Sequence, residues 1–165
     1  EVEYFPKEYF DPEEQILMQA SCALFLLTRP YKFRGHTYMD AGLVDMIPIE
    51  QSIRQGNTKH VFISTKEENY VRKPAPGWQI QLAKLMYPGN KTIRENLKIR
   101  HINYQKQWQI VKELEEQGNA IVLRPSADYG VTRYTHDKEL LGRWFDLGYE
   151  DTKNRLDMIR EFMEK

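Results

Sequence analysis

Apolar residues recur along this chain at two different periods, and the changes of period mark out most of its elements. Across Lys91 to Gln117, Ile93, Leu97, Tyr104, Trp108, Val111 and Leu114 return at helical spacing with charged residues between them, which predicts the longest helix, with one buried stripe and a solvated face. Asp11-Pro12-Glu13-Glu14 offers an N-cap, a proline in the first helical turn and early acids, and predicts a helix through Gln15 to Cys22. Ala23 to Leu27 is apolar and stops at Arg29-Pro30. Tyr31 to Met39 then alternates around Gly35 as a hairpin or strand pair does. Pro48 suits the first turn of a helix running to about Gln55 and ended by Gly56-Asn57. His60 to Ser64 and Ala120 to Leu123 are short runs of the strand type.

Strand, turn, helix, strand is a βαβ unit, so the expected fold class is α/β with a parallel or mixed sheet flanked by helices. Lys66 to Asn90, with Pro74, Pro76 and Pro88 and no clear period, reads as an irregular excursion long enough to serve as a lid. The tail, residues 137–165, carries Leu140, Leu141, Trp144 and Phe145, then Leu156, Ile159, Phe162 and Met163, and predicts two amphipathic helices that break near Gly148. All 165 residues are assigned to one domain, with the tail as its helical end.

Composition narrows the functional classes. Apolar residues make up 41% and aromatics 12% of the chain, the range of a globular protein with a core. Lys plus Arg equals Asp plus Glu at 24 each, so the chain lacks the one-signed field that attracts nucleic acid, and none is expected as a partner. Cys22 is the single cysteine, which rules out an internal disulfide and cysteine-rich zinc sites and fits a reducing, cytoplasmic location. No apolar run approaches the roughly 20 residues of a spanning helix, and Glu1-Val2-Glu3 is unlike a signal peptide.

The candidate chemistry centres on Asp40, in Tyr38-Met39-Asp40-Ala41-Gly42-Leu43-Val44-Asp45-Met46-Ile47-Pro48-Ile49. An aspartate before Ala-Gly is a common turn-former, its carboxylate accepting from an N–H two residues on. It is also placed just past a strand end, where α/β enzymes put reacting groups. Both readings stand on sequence. Asp45 reads as a loop anchor or helix cap, and Asp40, Asp45 and His36 together lack metal-ligand spacing. His60, His101 and His136 are scattered and read as structural or solvated, and neither Ser21 nor Ser64 has the flanking glycines of a nucleophile turn.

The Asp40 segment, followed by Ile53-Arg54-Gln55-Gly56 and the strand at His60, resembles the Asp-Gly-Gly or Asp-Gly-Ala region of bacterial patatin-like phospholipases: an aromatic, an apolar residue, Asp-Gly-Gly, two residues, Asp, one residue, Ile-Pro. Ala20-Ser21-Cys22-Ala23-Leu24 is similar to that family's Ala-Ser-Ser-Ala-Ile-Pro segment, and Leu147-Gly148-Tyr149-Glu150-Asp151-Thr152 to a late helix junction. Ala41 stands where the family has its first Gly, and Phe25 where it has Pro.

The resemblance implies a serine acyl-ester hydrolase acting on phospholipids or other acyl lipids through a Ser-Asp dyad, with Asp40 as catalytic base and no metal or cofactor. No Gly-x-Ser-x-Gly occurs in the chain, and the glycine-rich oxyanion loop is likewise missing. The chain is therefore expected to correspond to the C-terminal half of the family's domain and to be inactive alone, its natural partner being the N-terminal half. An exposed strand edge and the run from Cys22 to Leu27 would favour self-association. Tyr70, Arg72, Lys73, Trp78 and Leu82 combine basic and aromatic groups suited to a membrane surface, or belong to an ordinary loop. The competing class is a non-catalytic interaction or regulatory module on the same scaffold, which a serine turn about one hundred residues ahead of Asp40 would argue against.

Overall fold

The computed structural model describes residues 1–9, 15–132 and 134–164, so the helix start expected at Asp11 to Glu14 lies outside the described residues. Among the described residues the architecture is mixed α/β, with six α-helices and two two-stranded sheets. The chain divides into two compact units, each built from separate stretches. Residues 1–48 and 72–107 form one, and residues 49–71 and 108–165 form the other.

In the first unit, α1 (Ile16–Ser21) precedes a hairpin of β1 (Tyr31–Phe33) and β2 (His36–Tyr38), paired antiparallel with Tyr31 opposite Tyr38 and Phe33 opposite His36. Arg34 and Gly35 both take positive φ, 46° and 81°, the backbone that a two-residue turn matched to strand twist requires. The Phe5 ring lies 5.8 Å from Phe33 and 5.6 Å from Tyr38, so the N-terminal stretch packs onto this hairpin. A one-turn 3-10 helix (Ala41–Leu43) follows the hairpin.

The expectation of an irregular excursion at 66–90 is corrected by α3 (Gly77–Met86). Pro74 and Pro76 lie ahead of its first residue, where a missing N–H and a fixed φ do no harm, and Pro76 is itself the N-cap. Ile80, Ala83 and Tyr87 turn toward Leu43, Ile93 and Leu97 in the unit's core, which Phe25, Met39, Val44 and Ala75 complete. The run from Cys22 to Leu27 is thus only partly uncovered, with Ala23 buried, Phe25 packed on this core and Leu27 exposed. The expected long helix is present as α4 (Lys91–Glu116), whose residues 91–107 belong to the first unit and whose remainder belongs to the second.

In the second unit, α2 (Ile49–Arg54) leads through Gly56, at φ 83°, into β3 (His60–Ile63). The parallel partner of β3 is β4 (Ala120–Leu123), with His60 opposite Ala120 and Ile63 opposite Leu123. The strand ahead of Asp40 pairs instead in the separate hairpin, which corrects the simple βαβ reading: the parallel crossover runs from β3 to β4 and includes α3 and α4. Parallel neighbours need such a long connection, whereas a two-residue turn closes β1 on β2.

All four residues of β4 are buried, as its unbroken apolar run requires. His60 N–H donates to Asn119 O at 3.0 Å and Ser64 N–H to Leu123 O at 2.8 Å. By strand alternation Val61 and Ile63 therefore turn their main-chain groups to the outer edge of β3, and Ile63 is 73% exposed. On the other side of the sheet an Arg155 N–H donates to Val122 O at 3.0 Å.

The tail forms α5 (Lys138–Lys153) and α6 (Leu156–Glu164). Asp137 caps α5 by accepting from Glu139 and Leu140 N–H at 3.0 and 3.1 Å. The break falls after Lys153 and corrects the one expected near Gly148, because an interior glycine weakens a helix by about 1 kcal/mol without ending it.

Candidate functional site

Asp40 sits two residues beyond β2, at the mouth of the 3-10 turn. Its N–H donates to Ala23 O at 3.1 Å, tying the loop to the segment after α1. Its Oδ1 accepts the Gly42 N–H at 2.7 Å, the turn-forming contact that an aspartate two residues ahead of a small residue makes. Its other carboxylate oxygen accepts no hydrogen bond among the described residues, and the residue is half-buried.

Gly42 is needed by proximity. A Cβ there would stand 2.9 Å from Asp40 Oδ1 and 3.3 Å from Met46 Cγ, closer to the carboxylate than side chains sit. Ala41, by contrast, is accommodated in the first residue of the turn.

The face of α4 in the first unit holds this loop at three points. Leu43 packs against Leu97 and Ile93, Arg100 donates to Gly42 O at 3.1 Å, and Gln107 donates through Nε2 to Asp45 Oδ1 at 2.7 Å while its Oε1 accepts Ile47 N–H at 3.2 Å. Asp45 Oδ2 also accepts the Tyr4 hydroxyl. Asp45 thus fixes the loop, one of the two roles expected for it. Gln107 is buried and both ends of its amide are used, so it works as a brace with little freedom to move.

Sequence reading missed Arg100 and Gln107 because polar residues on α4 were assigned to its solvated side. Their signal is the seven-residue step from Ile93 to Arg100 to Gln107, which continues one edge of the buried stripe.

The structure does not gather the other candidates around Asp40. His36 and His136 are exposed. His60 is buried in the second unit, where Nδ1 lies 3.1 Å from Ser52 Oγ, which also accepts from Asn57 Nδ2 at 3.2 Å and so braces the α2–β3 turn. His101 lies on α4 with Nδ1 buried and unbonded among the described residues. Ser64 Oγ closes a local loop with the main chain of Lys66, and Ser21 is exposed at the end of α1. No three His, Cys, Asp or Glu side chains come together to hold a metal among the described residues. No helix of those residues is long and apolar enough to cross a membrane.

Chemically the loop offers one carboxylate, oriented through one oxygen and without a hydrogen bond at the other among the described residues, in a turn that a helix face braces. That arrangement can accept a proton from a hydroxyl brought to the second oxygen. A protein-family model described as a domain of unknown function (DUF6363) matches residues 90–164, the stretch from α4 to α6, and leaves Asp40 and its loop outside the match. No curated protein and no solved structure matches the chain.

Proposed function

We propose that this chain supplies the base of a patatin-like serine acyl-ester hydrolase, with Asp40 taking the proton of a serine carried by the N-terminal half of the same domain. The carrying observation is the asymmetry of its carboxylate: Oδ1 is fixed by Gly42 N–H, and the second oxygen accepts no hydrogen bond among the described residues. A base held in this way needs no histidine, because alignment with the hydroxyl lets the carboxylate take the proton directly. The serine would attack an ester carbonyl as Asp40 takes its proton; the ester C–O bond then breaks and that proton goes to the departing alcohol, leaving an acyl-enzyme, from which a water that gives its proton to the regenerated carboxylate would release the acid, the proton returning to the serine oxygen. Alone, the chain has no nucleophile of this type and should not turn over substrate.

Two surface features support the wider reading. The outer edge of β3 at Val61 and Ile63 pairs with no other strand among the described residues, as a sheet continued by other polypeptide requires, and it is also where self-association would begin. On α3, Trp78, Leu85 and Met86 are exposed apolar groups of a kind that touches a lipid interface.

The test is Asp40→Asn in the polypeptide that includes the serine-bearing half, assayed on a soluble short-chain ester and on phospholipid vesicles. The amide keeps an oxygen for Gly42 N–H, so the fold should hold while kcat falls by about a hundredfold to ten-thousandfold. Unchanged turnover would remove Asp40 from the chemistry. A second reading, a non-catalytic interaction module, is favoured by one observation: Asp40 already performs a structural task in its turn. That reading gains if the polypeptide ahead of this chain carries no serine turn.

A further inference from the structure

The C-terminal ends of parallel strands are where open α/β sheets bind ligands, because the chain leaves the sheet there in diverging directions and opens a crevice. In the second unit β3 and β4 end together, and Ile63-Ser64-Thr65 and Leu123-Arg124-Pro125 line a cleft of about 160 Å³ with one face of α5 and with Arg155. The size is close to the roughly 150 Å³ of an apolar cavity that admits a benzene ring.

One face of α5 supplies four residues of the lining. Trp144, Gly148, Asp151 and Thr152 fall at helical spacing and all border the cleft. Gly148 is exposed where this face borders the cleft. A Cβ on Gly148 would meet nothing within 4 Å, as is also true of Gly142 on the same helix, so a larger side chain at 148 can be introduced without a clash at its Cβ.

The polar groups of the lining are nearly all engaged. Arg124 pairs with Glu68 and Glu115, both at 3.3 Å, and lies over the Trp108 ring. Asp151 Oδ2 accepts Ser126 N–H at 2.8 Å, Thr152 donates to Gly148 O at 2.8 Å, and Ser64 is closed on Lys66. Arg155 differs. One of its N–H groups is spent on Val122 O and its guanidinium pairs with no carboxylate among the described residues, so this exposed arginine keeps spare donors at the rim of the cleft, with Asp151 the one carboxylate of the lining.

We infer that this cleft binds a small monoanionic carboxylate with an apolar body, its chain or ring against Trp144, Leu123 and the open surface at Gly148, and its carboxylate on Arg155. Short fatty acids and aryl carboxylates belong to this class. The inference goes beyond the acyl-hydrolase reading and stands without it, since Asp40 takes no part.

The experiment is a 1H–15N titration of the chain with hexanoate and benzoate, read at the Trp144 indole N–H and the Gly148 amide, the indole signal being assigned by its loss in Trp144→Phe. Saturable shifts confined to the cleft residues are expected, with acetate giving none and hexan-1-ol and hexylamine binding about tenfold or more weakly, as loss of a charge-assisted hydrogen bond implies. Gly148→Leu fills the open space with a better helix former and should abolish the shifts. Arg155→Gln should weaken hexanoate about tenfold and leave hexan-1-ol unchanged, with Arg155→Lys in between. Failure of either carboxylate to saturate, equal binding of hexylamine, or undiminished binding by Gly148→Leu would overturn the assignment.

Discussion

Gly42→Ala probes the Asp40 turn more sharply than any change to Asp40 itself. The added Cβ would stand 2.9 Å from Oδ1, the atom that accepts Gly42 N–H at 2.7 Å, and 3.3 Å from Met46 Cγ. The methionine stem is flexible and can yield by a few tenths of an ångström. The carboxylate oxygen is held by the hydrogen bond and must turn away, which breaks it. Losing a side-chain cap costs about 1 kcal/mol, and a hydrogen bond to a charged acceptor about 1.5–3 kcal/mol. Against that, alanine stabilises relative to glycine by about 0.4–1 kcal/mol by restricting the unfolded chain.

The balance is a net loss of about 1 kcal/mol, and the decisive measurement is a double-mutant cycle with Asp40→Ala. Urea unfolding followed by both tryptophan fluorescence and far-ultraviolet circular dichroism would give the four stabilities. With the carboxylate gone, Gly42→Ala should become neutral or slightly stabilising, a coupling of about 1–2 kcal/mol. Equal losses in the two backgrounds would refute the contact as the reason for the glycine and move the conflict to Met46 or the backbone.

Two further outcomes follow from the same loop and its surroundings. Gln107→Ala should destabilise the chain by about 2–3 kcal/mol, since it strips Asp45 of a buried donor and leaves Ile47 N–H unpaired; a change under about 0.5 kcal/mol in urea melts would end its role as a brace. The Tyr38 hydroxyl donates to Glu3 Oε2 at 2.6 Å, and this hydrogen bond, followed by desolvation and the Glu3 charge, raises its pKa from the usual 10.0. The contact therefore contributes fully below the pKa of the unfolded tyrosine and is lost as pH rises through the raised folded value. Glu3→Gln should bring the Tyr38 phenolate titration, followed by ultraviolet absorbance against a Tyr38→Phe control, to lower pH; an unmoved titration would show that the carboxylate does not hold the phenol.

Local chemistry determined much of this protein. The stripe from Ile93 to Leu114 specified α4, Gly35 after Arg34 specified the hairpin turn, Gly56 ended α2, and Asp40 ahead of Ala-Gly announced the turn it forms. Each is a matter of period, positive φ or a side chain reaching two residues along the chain, so neighbours in sequence suffice.

Tertiary structure decided the rest. Pro74 and Pro76 read as breakers until the core of Leu43 and Leu97 gave Ile80 and Ala83 an apolar face to meet, and then they mark the approach to α3. Gly148 reads as a break until a capped sixteen-residue helix carries through it. Which strand joins β3, and that Gln107 reaches back 62 residues to Asp45, rest on contacts whose loop-closure entropy must be met by packing elsewhere, and no local pattern records that balance.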